Sequence, residues 1–81
     1  MSGMRRLGTP RPVRVEASAA GIPEAVGRTA VDAVVEEWVV EDRWWTGRPL
    51  ARRYFELVLA DGKSAVVFRD LRGGRWFTQV G

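Results

Sequence analysis

The sequence lacks the side chains that most enzymes use for nucleophilic or metal-dependent chemistry. It contains no histidine and no cysteine, so Ser–His and Cys–His pairs and the usual zinc sites cannot be assembled. Neighbouring carboxylates such as Glu36 and Glu37 could in principle act as acid and base. Consecutive residues of a strand point to opposite faces, however, so these two cannot converge on one substrate. We therefore expect no enzymatic activity, no metal and no cofactor.

A tryptophan pair among arginines is the feature that best predicts binding. An exposed tryptophan beside arginines can stack on a nucleic-acid base while the guanidinium groups hold phosphates. It can also anchor a protein partner. Alternatively, both rings cap the open end of a small barrel and the arginines stack on them. The residues of this segment are Arg43, Trp44, Trp45, Arg48, Arg52 and Arg53.

A second group of arginines flanks the turn predicted at residues 71–74. Arg69, Arg72 and Arg75 form one basic patch with the first group if the two loops lie at the same end of the domain. Otherwise they belong to a solvated loop, with Arg69 packed across from Tyr54. The candidate residues for binding a protein or a nucleic acid are Arg43, Trp44, Trp45, Arg48, Arg52, Arg69, Arg72 and Arg75.

The 81 residues are enough for one domain only. Residues 1–11 are basic, contain glycine and proline and show no apolar period, which predicts a flexible tail before a domain over residues 12–81. The start of the chain lacks the apolar core of a signal peptide, and no apolar run is long enough to span a membrane. We expect a cytoplasmic protein that does not contact membranes.

Charge is distributed in blocks along a chain with a net charge of +3. Residues 32–42 contain five acids and no bases, and residues 43–53 contain four arginines and no acids. The arginines near the N-terminus, including Arg11 and Arg14, would add non-specific affinity for phosphates. The acidic block argues against strong nucleic-acid binding.

The stretch from Thr29 to Asp42 is compatible with two structures. Valines and a tryptophan occur at helical spacing, but the many β-branched side chains favour a strand. We predict a long strand, bulged near Val35, with a helix as the alternative. In that strand Val34, Trp38 and Val40 share one face.

Asp61-Gly62 between two apolar runs is typical of a two-residue hairpin. A two-residue turn places Phe55 opposite Phe68 and Arg53 opposite Asp70, a favourable pair. A bulge at Gly62 would instead place Arg53 opposite Arg69, so we favour the first register.

These patterns predict an all-β fold of five to six strands, either a small bent antiparallel sheet or an SH3-like barrel. Further short strands are expected near Val13–Ala17, Glu24–Val26 and Arg75–Val80, and a loop is expected over Trp45–Ala51. The predicted core comprises Val34, Trp38, Val40, Phe55, Leu57, Leu59, Val66, Phe68 and Trp76.

Several motifs in residues 12–80 resemble a small uncharacterised bacterial domain, found mainly in actinobacteria. These motifs are Trp44-Trp45, Pro49, Arg53-Tyr54-Phe55, Asp61-Gly62, Phe68-Arg69-Asp70-Leu71 and Gly74-Arg75-Trp76-Phe77. The family's domain occurs alone or at the C-terminus of the inactive Y-family polymerase homologue of the mutasome, which acts in translesion DNA synthesis. The resemblance implies an adaptor associated with DNA repair and gives no catalytic residue.

We therefore expect a non-catalytic protein-interaction module associated with translesion synthesis or DNA repair, with a protein partner. The first alternative is a domain that binds nucleic acid weakly and loses affinity as salt rises. The second is a structural protein that self-associates through an edge strand near Val13.

Overall fold

A computed structural model describes residues 10–42 and 50–79. In these two ranges the chain forms strands and turns without helices, which confirms the predicted all-β class. None of the described residues belongs to a helix long and apolar enough to cross a membrane. The strands are β1 (Arg11–Pro12), β2 (Val15–Ala17), β3 (Pro23–Val26), β4 (Thr29–Asp42), β5 (Leu50–Leu59), β6 (Ser64–Asp70) and β7 (Trp76–Gln79).

All neighbouring strands are antiparallel, in the order β1-β7-β6-β5-β4-β3-β2. Only Val13 and Arg14 separate β1 from β2. Because β1 pairs with β7 and β2 pairs with β3, this one short stretch of chain lies beside both β7 and β3. The N–H of Val13 donates to the Trp76 carbonyl at 3.1 Å, and the N–H of Gly27 donates to the Arg14 carbonyl at 2.7 Å. These contacts bring the two ends of the sheet together and curl it into a half-barrel.

Two predicted boundaries differ from the structure. β1 begins at Arg11, so the last residue of the predicted tail belongs to the sheet, while residues 1–9 lie outside the described ranges. β5 begins at Leu50, so Leu50 and Ala51 are strand residues although a loop was predicted there.

The segment from Thr29 to Asp42 is one strand, as predicted, and not a helix. Its register with β5 shifts between Val31 and Ala33 and again between Val34 and Glu36, which confirms the bulge near Val35. A bulge inserts one unpaired residue and reverses the alternation of faces. Val34 therefore lies on the opposite face from Trp38 and Val40, and the prediction that the three share a face is wrong.

The hairpin register predicted from Asp61-Gly62 is wrong by one residue. Tyr54 pairs with Phe68, and Arg53 lies opposite Arg69. Gly62 has a φ of 87°, which glycine adopts without steric strain. Its N–H donates to the Leu59 carbonyl at 2.8 Å, and the Asp61 carboxylate accepts from the Lys63 N–H at 3.0 Å. A three-residue turn results.

Arg53 can lie opposite Arg69 because it has a carboxylate partner on its other neighbouring strand. Its Nε lies 2.5 Å from Oε2 of Glu37 in β4. The same guanidinium covers the ring of Phe55 at 4.9 Å and donates to the Ala20 carbonyl at 3.1 Å. Arg53 therefore needs no partner on β6 and instead fastens the β2–β3 turn to the sheet.

The inner face of the half-barrel carries the core. Phe55, Leu57 and Val67 are fully buried there. The partly buried residues packed around them are Val13, Ile22, Val26, Val31, Leu59 and Trp76. This confirms four of the predicted core residues, namely Phe55, Leu57, Leu59 and Trp76.

A fifth predicted core residue, Phe68, is also confirmed as buried, and its pairing with Tyr54 sets it on the outer face. The other four predicted core residues are not buried. Trp38, Val40 and Val66 are half-buried on that outer face, and Val34 is 38% exposed. The sequence pattern showed which residues are apolar, but it did not show that apolar side chains cover both faces of β5 and β6.

Candidate functional site

Four aromatic rings, one from each of β4 to β7, form a continuous row across the outer face. We call Trp38, Tyr54, Phe68 and Phe77 the aromatic ladder. Trp38 stacks on Tyr54 at 5.2 Å with the planes 4° apart, Tyr54 contacts Phe68 at 5.0 Å, and Phe68 stacks on Phe77 at 5.2 Å. Such cross-strand ring pairs stabilise a sheet and fix its register.

Arg52, one of the predicted binding residues, belongs to this ladder. Its guanidinium carbon lies 4.4 Å from the centre of the Phe68 ring, and Nη1 donates to the Tyr54 hydroxyl at 3.1 Å. The ring and the hydroxyl together hold the side chain against the sheet. Arg52 therefore stabilises the fold in this structure.

Replacing Arg52 with methionine keeps the apolar stem and removes the guanidinium. We expect the free energy of unfolding to fall by about 1 kcal/mol, because a cation–π contact and one hydrogen bond are lost. Urea denaturation followed by circular dichroism measures this change. Arg75→Met, at an exposed position, is the control and should change stability by less than about 0.5 kcal/mol. Equal effects would show that the Arg52 contacts add no stability.

The ladder ends at β4, on the side where the described strands leave β4 unpaired. β3 pairs with β4 only through Thr29 and Ala30. From Glu36 onward the register with β5 is uninterrupted. We call Glu36–Glu41 the β4 edge. An edge strand presents alternate N–H and C=O groups outward, ready to pair with another strand. The ring face of Trp38 turned away from Tyr54 contacts no other ring among the described residues.

The β4 edge is acidic and partly apolar. Glu36 lies directly opposite Glu56 of β5, which places two like charges side by side on the outer face. In the described part of the chain, neither carboxylate forms an ion pair. Val39 is 54% exposed, and Val35 beside the edge is 58% exposed. The edge therefore offers hydrogen-bonding groups and apolar contact surface together with the Glu36 carboxylate, which forms no ion pair within the described part of the chain.

The remaining described arginines of the predicted site lie near the β6–β7 turn. The start of β5 lies at the same end, since the Leu71 N–H donates to the Ala51 carbonyl at 3.0 Å. Arg69 lies opposite Arg53 and not Tyr54, and its Nε donates to the Gly74 carbonyl at 3.4 Å.

Asp70 organises this turn by accepting from the backbone N–H groups of Arg72, at 3.0 Å, and Gly73, at 3.4 Å. Arg75 lines an open pocket together with Arg14. The other four predicted residues, Arg43, Trp44, Trp45 and Arg48, lie outside the described residues.

The candidate site includes two residues, Trp38 and Glu36, that were not assigned to a site from the sequence. Trp38 was predicted to lie in the core, and Glu36 was considered only as a carboxylate adjacent to Glu37. The five acids of residues 32–42 were the available indication that β4 borders solvent, since charged side chains are common on edge strands. The described residues hold no cluster of three potential metal ligands.

Comparisons with known protein families, with curated proteins and with solved structures found no match to this chain. The resemblance noted from the motifs therefore stays a prediction.

Proposed function

We propose that this protein is a non-catalytic protein-interaction module that binds an extended segment of a partner protein along the β4 edge. The observation that carries this proposal is the uninterrupted stretch Glu36–Glu41, which no described strand pairs on its outer side. Main-chain hydrogen bonds from an added strand supply affinity, and alternate side chains supply specificity. A guest strand would extend the sheet at the point where the aromatic ladder ends.

The chemistry of the edge defines the partner segment. On the outer face, Glu36, Glu56 and Trp38 favour arginine or lysine, since a cation can pair with the carboxylates and cover the indole face turned away from Tyr54. On the inner face, exposed Val39 favours an apolar side chain. The partner is therefore an extended segment in which basic residues alternate with apolar ones.

A second copy of the chain is a poor occupant of this edge. Residues 32–42 contain five acids and no bases. Antiparallel pairing of two β4 edges would set carboxylates against carboxylates or neutral residues, and like charges directly opposite are destabilising. A nucleic acid is repelled by the same carboxylates. The charge pattern thus favours a different, basic protein.

The resemblance to the mutasome-associated domain gives this proposal a cellular setting. A small module without histidine or cysteine that captures a partner strand fits an adaptor associated with DNA repair or translesion synthesis. We propose this setting on the sequence motifs alone.

A peptide that alternates arginine and valine tests the proposal directly. We expect it to bind, and the outward-facing amides of Glu36–Glu41 to become protected from hydrogen exchange, because they gain hydrogen-bond partners. Exchange measured by NMR on the full chain, with and without peptide, gives the readout. The same peptide N-methylated on alternate residues cannot complete the ladder and should not protect these amides.

Charge reversal provides the matched variants. Glu36→Lys with Glu56→Lys should shift preference to a peptide that alternates glutamate and valine, because the charge that the outer face presents beside the edge is reversed. Glu16→Lys with Glu24→Lys makes the same charge change at exposed positions on β2 and β3 and should leave the preference unaltered. Protection elsewhere, or equal effects of the two pairs, would contradict binding at the β4 edge.

A further inference from the structure

A second surface, separate from the β4 edge, lies where β1 meets β7. Pro12, Val13, Arg14, Arg75 and Trp76 line an open pocket of about 430 Å³, and we call it the β1–β7 pocket. This volume lies within the range of small-ligand sites. Two elements build it, because the Val13 N–H donates to the Trp76 carbonyl and so holds β1 against the start of β7.

The pocket combines an apolar wall with two exposed arginines. Trp76 packs against Phe55 with ring centres 5.8 Å apart, so the indole is fixed in place. The guanidinium groups of Arg14 and Arg75 are exposed and bind no other group among the described residues. Asp70, the acid that pairs with Arg75 in the backbone ladder, accepts two N–H groups of the β6–β7 turn on Oδ1.

The acidic β4 edge does not cancel this charge. β6 and β5 lie between β7 and β4, so the edge is about 14 Å from the pocket along the sheet at the usual strand spacing. Exposed charges at this separation are largely screened at physiological salt, where the Debye length is about 8 Å. The β4 edge therefore contributes little to the electrostatic potential at the pocket.

We propose that the β1–β7 pocket binds one nucleotide of a single-stranded nucleic acid. The base lies against Pro12 and Trp76, and the phosphate lies between Arg14 and Arg75. An aromatic wall accepts the flat face of any base, whereas a paired base inside a duplex cannot reach it. Guanidinium groups are the preferred donors to phosphate oxygens. The protein thus holds a protein strand on β4 and a nucleotide on β7 at separate places.

Fluorescence anisotropy of a labelled oligodeoxythymidylate, titrated with the full chain at several salt concentrations, tests this proposal. We expect binding that weakens as salt rises. Arg14→Gln with Arg75→Gln should weaken it at least about tenfold and reduce the slope of log K against log salt by about 0.7, because one phosphate contact is lost. Both positions are exposed, so circular dichroism and the unfolding midpoint should match those of the wild type.

Lys63→Gln is the control for a single lost charge. Lys63 is exposed in the β5–β6 turn, and the length of β6 separates it from Arg75. It should change affinity by less than about twofold, whereas Arg75→Gln alone should weaken binding by at least about threefold, because one of the two guanidinium groups on the phosphate is lost. Equal effects of Lys63→Gln and Arg75→Gln would overturn the assignment to this pocket, because binding would then follow net charge.

NMR titration separates a nucleotide site from a simple anion site. Thymidine monophosphate should move the Trp76 indole resonance and the amides of Val13 and Arg75 at lower concentration than inorganic phosphate does. Equal affinity for both would overturn base recognition. Equal affinity for single-stranded and double-stranded oligonucleotides in the anisotropy experiment would overturn the preference for an unpaired base.

Discussion

Replacing Phe68 with alanine should lower the free energy of unfolding by about 3–5 kcal/mol, the range found for removal of a buried aromatic side chain. Phe68 is only 2% exposed although it lies on the outer face of a sheet with no second layer among the described elements. The rings of Tyr54 and Phe77 lie on either side of it, and the Arg52 guanidinium covers it. Its removal leaves a gap in the middle of the aromatic ladder that no neighbouring element can fill.

The size of this effect is large for so small a domain. At about 0.05–0.15 kcal/mol per residue, a chain of 81 residues has about 4–12 kcal/mol in total. Phe68→Ala should therefore bring the protein close to unfolding at room temperature, as measured by urea denaturation monitored at the tryptophans.

Two controls test whether the ladder itself is responsible. Phe68→Leu keeps most of the apolar volume but loses the ring contacts, and it should lose about 1–2 kcal/mol. Leu71→Ala, at a site 44% exposed, should lose less than about 0.5 kcal/mol. A loss below about 1 kcal/mol for Phe68→Ala would mean that the outer face does not contribute to stability as its burial indicates.

The class of fold follows from local patterns because those patterns depend on neighbours along the chain. Period-two alternation, the β-branched residues of β4 and the Asp61-Gly62 turn are local, and each led to a strand or turn that the structure contains. The bulge at Val35 was also predicted, since the apolar pattern changes phase there. Its consequence for Val34 was missed because the face of a residue after a bulge depends on which partner residue is skipped.

The hairpin register could not be predicted from the two strands alone. Arg53 opposite Asp70 was a sound pairwise argument, yet Glu37 on the third strand competes for the same guanidinium. Which strand borders β5 on the side away from β6 depends on the order of the whole sheet, so the two strands of the hairpin do not reveal it. The β4 edge has the same origin, because which strand lacks a partner depends on the order of the whole sheet.

The second prediction with a large effect concerns Gly21, in the turn between β2 and β3. Gly21 has a φ of 82°, and a Cβ added there would approach Nη1 of Arg53 to 2.9 Å. Gly21→Ala should lower the free energy of unfolding by about 2–4 kcal/mol. About 1–2 kcal/mol comes from the left-handed backbone conformation. The remainder comes from the shift of Arg53 Nη1, the end of a flexible side chain, which loses its hydrogen bond to the Ala20 carbonyl.

Gly27 separates these two contributions. It also has a positive φ, of 59°, but an added Cβ would meet no atom within 4 Å. Gly27→Ala should therefore lose only the conformational part, about 1–2 kcal/mol. In an Arg53→Met background the difference between the two alanine variants should vanish, because the displaced guanidinium is gone. If the difference persists in that background, Arg53 does not couple the β2–β3 turn to β4. If it vanishes, one arginine on the inner face joins the β2–β3 turn to the strand that carries the β4 edge.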